Sequence, residues 1–372
     1  PPFAPLASRR FLPQAAHFAA MKILHVGPVS SSKVSGLSKS IPLLAQSEAR
    51  MGATVTLLNS SDEAAPHLES IRVLEWSASA RHLSGYDLVV FHSTFILRHA
   101  AFARMLRSRG TPYAIMPRGG LTLGALSVKR LKKQIGRATI FRGFFKNAAG
   151  LCFLSQSEAA NSETFGLPWI TSGNGCTIPP LPPHSPRSRD QIRLLFAGRL
   201  DPHHKGLDLL LEAAGRCANA LRAARAQLIL AGPAPQNALR LLSKLVEKER
   251  ITALVNFTGA VARADLPQLY SNADLFLHTS RFEGLPNAVL EAMSHGLPVL
   301  ITPGTNLGQE VQRYEAGWLS PLTADDIAAS LRHALAARDD LVTMGQRARK
   351  LIEDNFSWDI VAQRSLSGYR YL

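Results

Sequence analysis

Residues 273–302 read ADLFLHTSRFEGLPNAVLEAMSHGLPVLIT. Apolar runs of strand length, ADLFLHTS and LPVLIT, stand at the two ends. The segment between them carries the punctuation of a single helix, with Pro286 and Asn287 as its start and Gly296 and Pro298 as its stop. A strand, a loop, a helix and a strand in that order are the step from which parallel sheets are built. Glu283 then falls in the loop before the helix and Glu291 one turn inside it, two acids in an otherwise small and apolar stretch.

The same alternation runs outward in both directions. Short runs rich in Val, Ile and Leu recur as KILHVG, TVTLL, IRVLEW, YDLVVFHS, YAIMP and GLCFLS, and then as IRLLFAGR, QLILAGP and VNFTGA. Segments of helical length separate them, the pattern of parallel sheets covered on both faces. Between the two series, residues 176–190 (CTIPPLPPHSPRSRD) hold five prolines and few apolar side chains, the composition of a linker. The 372 residues thus divide into two α/β units, expected to face each other across a cleft lined by the loops at the carboxyl ends of the strands. The closing stretch FSWDIVAQRSLSGYRYL spaces Trp358, Val361, Leu366 and Tyr369 as a helix that completes the second unit or crosses back to the first.

Composition excludes several classes. Apolar residues make up 46% of the chain and charged residues 19%, which predicts folding rather than disorder. Cys152, Cys176 and Cys217 are isolated from one another, with neither disulfide pairing nor metal-ligand spacing, and point to a reducing cytoplasm and no structural metal. No apolar run is long enough to span a bilayer. Residues 1–20 are expected to be a disordered leader ahead of a natural start at Met21, because MKILHVG begins a strand at once.

The net charge of +15 is uneven. Residues 1–190 hold 22 Lys and Arg against 9 Asp and Glu, whereas residues 191–372 hold 20 against 18. Residues 88–157 contain twelve cations and no acid, which suits a polyanionic partner for the first half. Within them, residues 127–146 (SVKRLKKQIGRATIFRGFFK) carry seven cations, with Leu131, Ile135, Phe141, Phe144 and Phe145 as apolar surface. That stretch is expected either to lie on an anionic membrane or to pack on the sheet with a solvated basic face.

The chemistry converges on the second half. A helix N-terminus offers free N–H donors and partial positive charge to a phosphate, and Gly284 removes the side chain that would block approach. A carboxylate in the loop accepts bonds from sugar hydroxyls, and one a turn into the helix grips a ribose diol. The plain alternative is that Glu283 caps the helix and Glu291 is solvated. Arg199 and Lys205, in FAGRLDPHHKGLD after the first strand of this half, add two cations where a diphosphate leaving group would develop charge.

With those residues in view, Glu283 to Glu291 and the following GLPV resemble the E-x7-E signature of retaining glycosyltransferases of family 4, of the bacterial polysaccharide-assembly type. GRLDPHHKGLD is similar to that family's G-R-L-x-x-x-K-G-x-D segment, with His203 and His204 in the approach to Lys205. The resemblance implies the GT-B fold, two Rossmann-like domains: an acceptor domain over 21–175, a linker at 176–190, a nucleotide-sugar domain over 191–356 and a C-terminal helix at 357–372. It implies that Arg199 and Lys205 hold the donor diphosphate, Glu283 with Gly284, Leu285, Pro286 and Asn287 the transferred sugar and phosphate, and Glu291 the ribose. Gly259 to Val261 would lie beside the base. In the first half, GPVSSSKVSGLSKS resembles the glycine-containing loop that closes over the donor, where Gly36 matches and Ser35 replaces a second glycine. His92 is similar to the histidine placed near the reacting sugar, and MPRGGL resembles a P-R-G turn that sets Arg118 and Gly119 toward the acceptor. Their plain alternatives are a histidine satisfied at a strand end and an exposed arginine.

No D-x-D occurs, so the expected chemistry is metal-independent and needs no cofactor beyond a UDP- or GDP-linked sugar as substrate. The expected acceptor is a glycan or lipid-linked glycan. In the family's reaction the leaving diphosphate takes the acceptor's proton on the face it leaves, and the enzyme positions and stabilises charge. The competing readings are a nucleotide-sugar epimerase, a sugar phosphorylase, for which no cofactor lysine site is recognisable, and a basic nucleic-acid-binding protein. A pI near 10.2 favours the last, but no recognition-helix, zinc or aromatic RNA-binding signature accompanies it, so no nucleic-acid partner is expected.

Overall fold

The computed structural model describes residues 18, 20–32, 36–77, 83–128, 130–180 and 190–372. The chain divides into two units, Pro1–Gly175 with Trp358–Leu372, and Cys176–Ser357. Most of the expected leader and residues 181–189 of the expected linker lie outside the described residues. Phe18 is described, and it is buried, with the Arg370 guanidinium 4.8 Å from its ring centre.

The first unit is built on seven parallel strands: β1 (Lys22–Gly27), β2 (Thr54–Asn59), β3 (Arg72–Glu75), β4 (Leu88–His92), β5 (Tyr113–Met116), β6 (Gly150–Phe153) and β7 (Trp169–Thr171). Their order in the sheet is β3-β2-β1-β4-β5-β6-β7. Six answer to the apolar runs, and β4, β5 and β6 are buried at every position, as covering on both faces requires. The order reverses between β1 and β4, the kind of switch at which the loops after adjacent strands run to opposite sides of a sheet. The C-terminal helix Trp358–Tyr369 belongs to this unit. Ser365 meets Ser172 at 2.5 Å, and the Tyr369 hydroxyl donates to Glu48 at 3.1 Å.

Residues 127–146 divide between the two arrangements the sequence left open. Phe141, Phe144 and Phe145 are buried in the aromatic core with Phe91 and Tyr113, because these rings recur at helical spacing on the inward side of the helix Arg142–Lys146. The preceding helix, Arg130–Ala138, has no buried residue, and its Leu131 is 71% exposed and Ile135 57%.

The second unit holds β8 (Ile192–Ala197), β9 (Ala226–Ala231), β10 (Val255–Gly259), β11 (Leu275–His278), β12 (Val299–Ile301) and β13 (Gly317–Leu319), all parallel, in the order β10-β9-β8-β11-β12-β13. Here the order reverses between β8 and β11. The helix Asn287–Ser294 joins β11 to β12 as the sequence predicts, and Gly296 beyond it has a φ of +75°, the left-handed conformation that ends a helix.

Candidate functional site

In the second unit the loops after β8 and β11, which flank the switch, are fastened together. Arg281 grips Asp208 through two bonds of 2.7 and 2.8 Å, and its backbone N–H donates to the His204 carbonyl at 3.0 Å. His204 Nε2 donates to the Phe282 carbonyl at 2.8 Å. Gly206 makes the approach possible: its φ is +62°, and a Cβ there would lie 2.0 Å from the Thr279 carbonyl oxygen.

This seam brings Lys205 onto Glu283. The Lys205 ammonium pairs with Glu283 Oε1, which also accepts from the Ser280 hydroxyl at 3.1 Å and stands 3.5 Å from His278 Nε2. Burial alone would push the Glu283 carboxyl up, but His278 and the Lys205 charge outweigh it and hold it well below the usual carboxylate range. His278 lies between Phe196 and Phe276, and burial lowers its basicity. Asn306 holds the next turn of chain, donating to the carbonyls of Glu283 at 2.7 Å and Gly284 at 3.0 Å. Gly284, Leu285 and Pro286 are buried behind it, and the Asn287 Oδ1 at the helix start is buried with no hydrogen-bond partner.

The remaining expected residues of this unit have partners of their own. Arg199 is exposed, with its Nη2 3.4 Å from both Asp201 Oδ2 and His204 Nδ1. Glu291 is one turn into the helix and accepts from the Tyr270 hydroxyl at 3.1 Å. Val261 is half-buried just past β10, next to Gly259, whose carbonyl accepts from the Gly232 N–H at 2.8 Å.

In the first unit the residues singled out by sequence lie at the carboxyl edge by the β1/β4 switch. His92 is the last residue of β4, and Arg118 and Gly119 follow β5 with φ values of +52° and +81°. Gly36 opens the helix Gly36–Arg50 after β1, beyond Ser35, which lies outside the described residues. The Gly36 carbonyl accepts from the Ser40 hydroxyl at 2.8 Å, Ser40 Oγ accepts from Arg118 Nη1 at 2.8 Å, and Arg118 Nε donates to His92 Nδ1 at 3.1 Å. All four expected residues therefore belong to one neighbourhood.

His92 is wholly buried, and both ring nitrogens are engaged. An arginine N–H can only donate, so Nδ1 accepts and the proton sits on Nε2, which donates to His25 Nδ1 at 2.8 Å. His25 Nε2 then donates to Glu48 Oε2 at 2.6 Å. Burial first, and Arg118 next, hold the His92 ring neutral. As placed, His92 presents no nitrogen to a sugar, and its contact runs through Arg118. Sequence reasoning passed over His25 and Glu48, whose signal was polarity in apolar settings: a histidine inside KILHVG and an acid on the buried face of a helix. It also passed over Ser280, Tyr270 and Asn306, which had no signal of their own.

Residues 180–351 match the family described as Glycosyl transferases group 1. The chain is 28% identical over 181 residues to the putative colanic acid biosynthesis glycosyltransferase WcaL of Escherichia coli K12, covering 46% of this chain and 43% of WcaL. It is 30% identical over 186 residues to a GDP-mannose-dependent phosphatidylinositol monomannoside mannosyltransferase of Mycobacterium tuberculosis, covering 48% and 47%. The match thus spans a little under half the length of these curated relatives. Among solved structures, a sucrose-phosphate synthase of Thermosynechococcus elongatus superposes with a TM-score of 0.76 at 19% identity, over 94% of this chain and 98% of that one. HepE of Anabaena, in complex with UDP and glucose, gives 0.70 at 18% over 95% and 100%. At these identities the likeness establishes the fold, which is GT-B.

Proposed function

We propose that the protein, whose residues 180–351 match the group 1 glycosyltransferase family and whose fold is GT-B, is a retaining glycosyltransferase, moving a sugar from a UDP- or GDP-linked donor to a glycan or lipid-linked glycan. The carrying observation is the Lys205–Glu283 pair at the β8/β11 switch, beside the start of the helix Asn287–Ser294. Lys205, with Arg199 nearby, meets the diphosphate, while Glu283 turns its second oxygen to sugar hydroxyls. Helix N–H groups complete the phosphate cradle, and Glu291 takes the ribose. The bond from the sugar's anomeric carbon to the diphosphate breaks and the bond to the acceptor oxygen forms on the same face. The acceptor's proton passes to the departing phosphate oxygen. Cationic side chains carry the leaving charge, so no metal or other cofactor is required.

The test is a thermal-shift panel of UDP-, GDP- and ADP-sugars, followed by NMR of the product made from the donor that stabilises the fold. Retention of the anomeric configuration, in the presence of chelator, is the expected result. Inversion, or an absolute magnesium requirement, would overturn the mechanism; donor conversion without an acceptor would favour an epimerase.

The exposed helix Arg130–Ala138 supports a peripheral contact with an anionic membrane, where a lipid-linked acceptor would be met. Its exposed Leu131 and Ile135 sit among Arg130, Lys132, Lys133 and Arg137, the pairing of apolar side chains and snorkelling cations that a headgroup boundary accepts. No helix among the described residues is long and apolar enough to cross a membrane.

A further inference from the structure

Arg118 is a cation with an unfinished set of bonds. Of its five N–H groups, Nε donates to His92 Nδ1 at 3.1 Å, and Nη1 donates to Ser40 Oγ at 2.8 Å and to Asn174 Oδ1 at 2.7 Å. All three acceptors are neutral. Nη2 is buried and has no partner. A buried guanidinium without a bonded carboxylate is costly, and burial pulls Arg118 down to about 10. The acid whose charge acts on Arg118, Glu158, spends its two oxygens on the backbone N–H groups of Gly119 and Leu154, at 2.5 and 2.6 Å.

The surroundings hold this group at some expense. Arg118 sits in the left-handed region, as do Ser93 and Phe95 in the loop after the neighbouring β4, and non-glycine residues avoid that conformation unless the surroundings impose it. Gly120 completes the turn, since a Cβ there would fall 2.4 Å from Thr94 Oγ1. Behind the guanidinium, bonds run in one direction: Arg118 to His92, His92 to His25, His25 to Glu48, with Tyr369 of the C-terminal helix donating to the other Glu48 oxygen. Each donor fixes the tautomer of the next ring, so the chain ends by presenting a lone pair of His92 to Arg118.

We propose that the Nη2 edge of Arg118 receives an oxyanion, a phosphate or carboxylate carried by the acceptor, and that His92, His25, Glu48 and Tyr369 are positioning residues that hold the guanidinium for it. This rests on the reading of the first unit as the acceptor side. Nη2 carries two N–H groups with no internal partner, and an oxyanion accepting from them would supply both the missing bonds and the missing charge. A neutral acceptor would leave the cation buried and unmatched.

The test uses the full chain and two probes, inorganic phosphate and glucuronate, titrated by calorimetry and followed on the arginine Nε–H resonances by NMR. The resonance lost in Arg118→Met is expected to be the one that phosphate or glucuronate shifts in the wild type, and Arg118→Met to weaken the stronger-binding probe at least tenfold. Preference for one probe identifies the anion. Arg118→Lys should bind between the two, and keeps the test intact if the methionine variant does not fold. Glu48→Gln and His25→Gln should weaken the same probe while leaving UDP and GDP affinity unchanged, a split that a purely structural role would not produce. Probe affinity equal in wild type and Arg118 variants would overturn the proposal, as would loss of UDP or GDP binding in Arg118→Lys, which would reassign the group to the donor phosphates. Anion binding at Arg118 without sugar transfer from any nucleotide-sugar would instead leave this site standing and sink the enzymatic reading.

Discussion

The two sheets reverse their strand order at corresponding places, between β1 and β4 in one unit and between β8 and β11 in the other, yet the two edges are charged in different ways. In the second unit the central cation is matched: Lys205 is paired with Glu283, and Arg281 with Asp208. In the first unit the central cation is Arg118, whose bonded partners are a histidine, a serine and an asparagine. A matched pair suits a ligand with hydroxyls on one side and phosphates on the other, since each half of the pair has a use. An unmatched guanidinium suits a ligand that brings its own negative charge. The regional excess of cations in the first half of the sequence follows the same division.

The sharpest way to break that contrast is to remove the acid of the matched pair. Glu283→Gln keeps the shape but loses a charged hydrogen bond worth about 1.5–3 kcal/mol, so kcat/KM should fall by about one to two orders of magnitude. Circular dichroism should be unchanged. Glu291→Ala is expected to act mainly on donor KM, because its carboxylate accepts from the Tyr270 hydroxyl and is proposed to meet the ribose rather than the transferred sugar. Wild-type kinetics in both variants would remove the second-unit site from consideration.

Removing the cations should separate charge from position. Lys205→Ala is expected to lower the affinity for the cognate nucleoside diphosphate by about tenfold or more, and Arg199→Ala by less, since an exposed charge is screened. Lys205→Ala also strands Glu283, and the double variant Lys205→Ala with Glu283→Gln should recover thermal stability without recovering affinity. Calorimetric titration with UDP and GDP, beside a melting curve, checks both halves. Equal losses at Arg199 and Lys205 would mean that burial of the pair does not matter.

What the sequence made legible, and what it hid, divides along similar lines. Apolar runs announced eleven of the thirteen strands among the described residues, including the part-exposed edge strands β3 and β10. The two missed, β7 and β13, are three-residue edge strands with part-exposed side chains, which leave no run to see. Glu283 and Lys205 were legible because each stands in a segment that resembles a family motif, E-x7-E and G-R-L-x-x-x-K-G-x-D. Their meeting was not, because it depends on Gly206 lying against Thr279, a contact between residues far apart in sequence. The chain from Glu48 to Arg118 was hidden for the same reason: every bond in it joins separate elements.

Acid should test a buried histidine of the first unit more gently. Burial pulls His99 in the first unit down to about 3, while the unfolded residue titrates near ~6.5. Between those values the unfolded chain takes up a proton that the folded chain does not. The stability contributed is therefore complete above the unfolded value and is lost as pH falls toward the folded one, at up to about 1.4 kcal/mol per pH unit. Trp76, Trp169 and Trp358 lie in the first unit and Trp318 alone in the second, so tryptophan fluorescence during urea unfolding reports chiefly on the first. His99→Gln should flatten the loss between pH 6.5 and 5, and an unaltered slope would show that His99 does not titrate on unfolding.

The smallest effect on the fold, and the one most specific to the first unit, concerns Leu131 and Ile135. Both are exposed on a helix that buries nothing, so Leu131→Ser with Ile135→Ser should change stability by no more than about 0.5 kcal/mol. Vesicle binding is where the pair should matter. Each apolar side chain placed at the headgroup boundary adds its own transfer energy, and each nearby cation adds about 1 kcal/mol on an anionic surface, an attraction that salt screens. Co-sedimentation with vesicles of mixed neutral and anionic lipid should therefore show binding by the wild type at low salt, less at high salt, and less again for the double variant at either. Phe144→Ser should behave in the opposite way, costing stability because that ring is buried in the core. Binding that ignores lipid charge, or that survives the double variant undiminished, would take the membrane away from this helix and leave the acceptor to be met in solution.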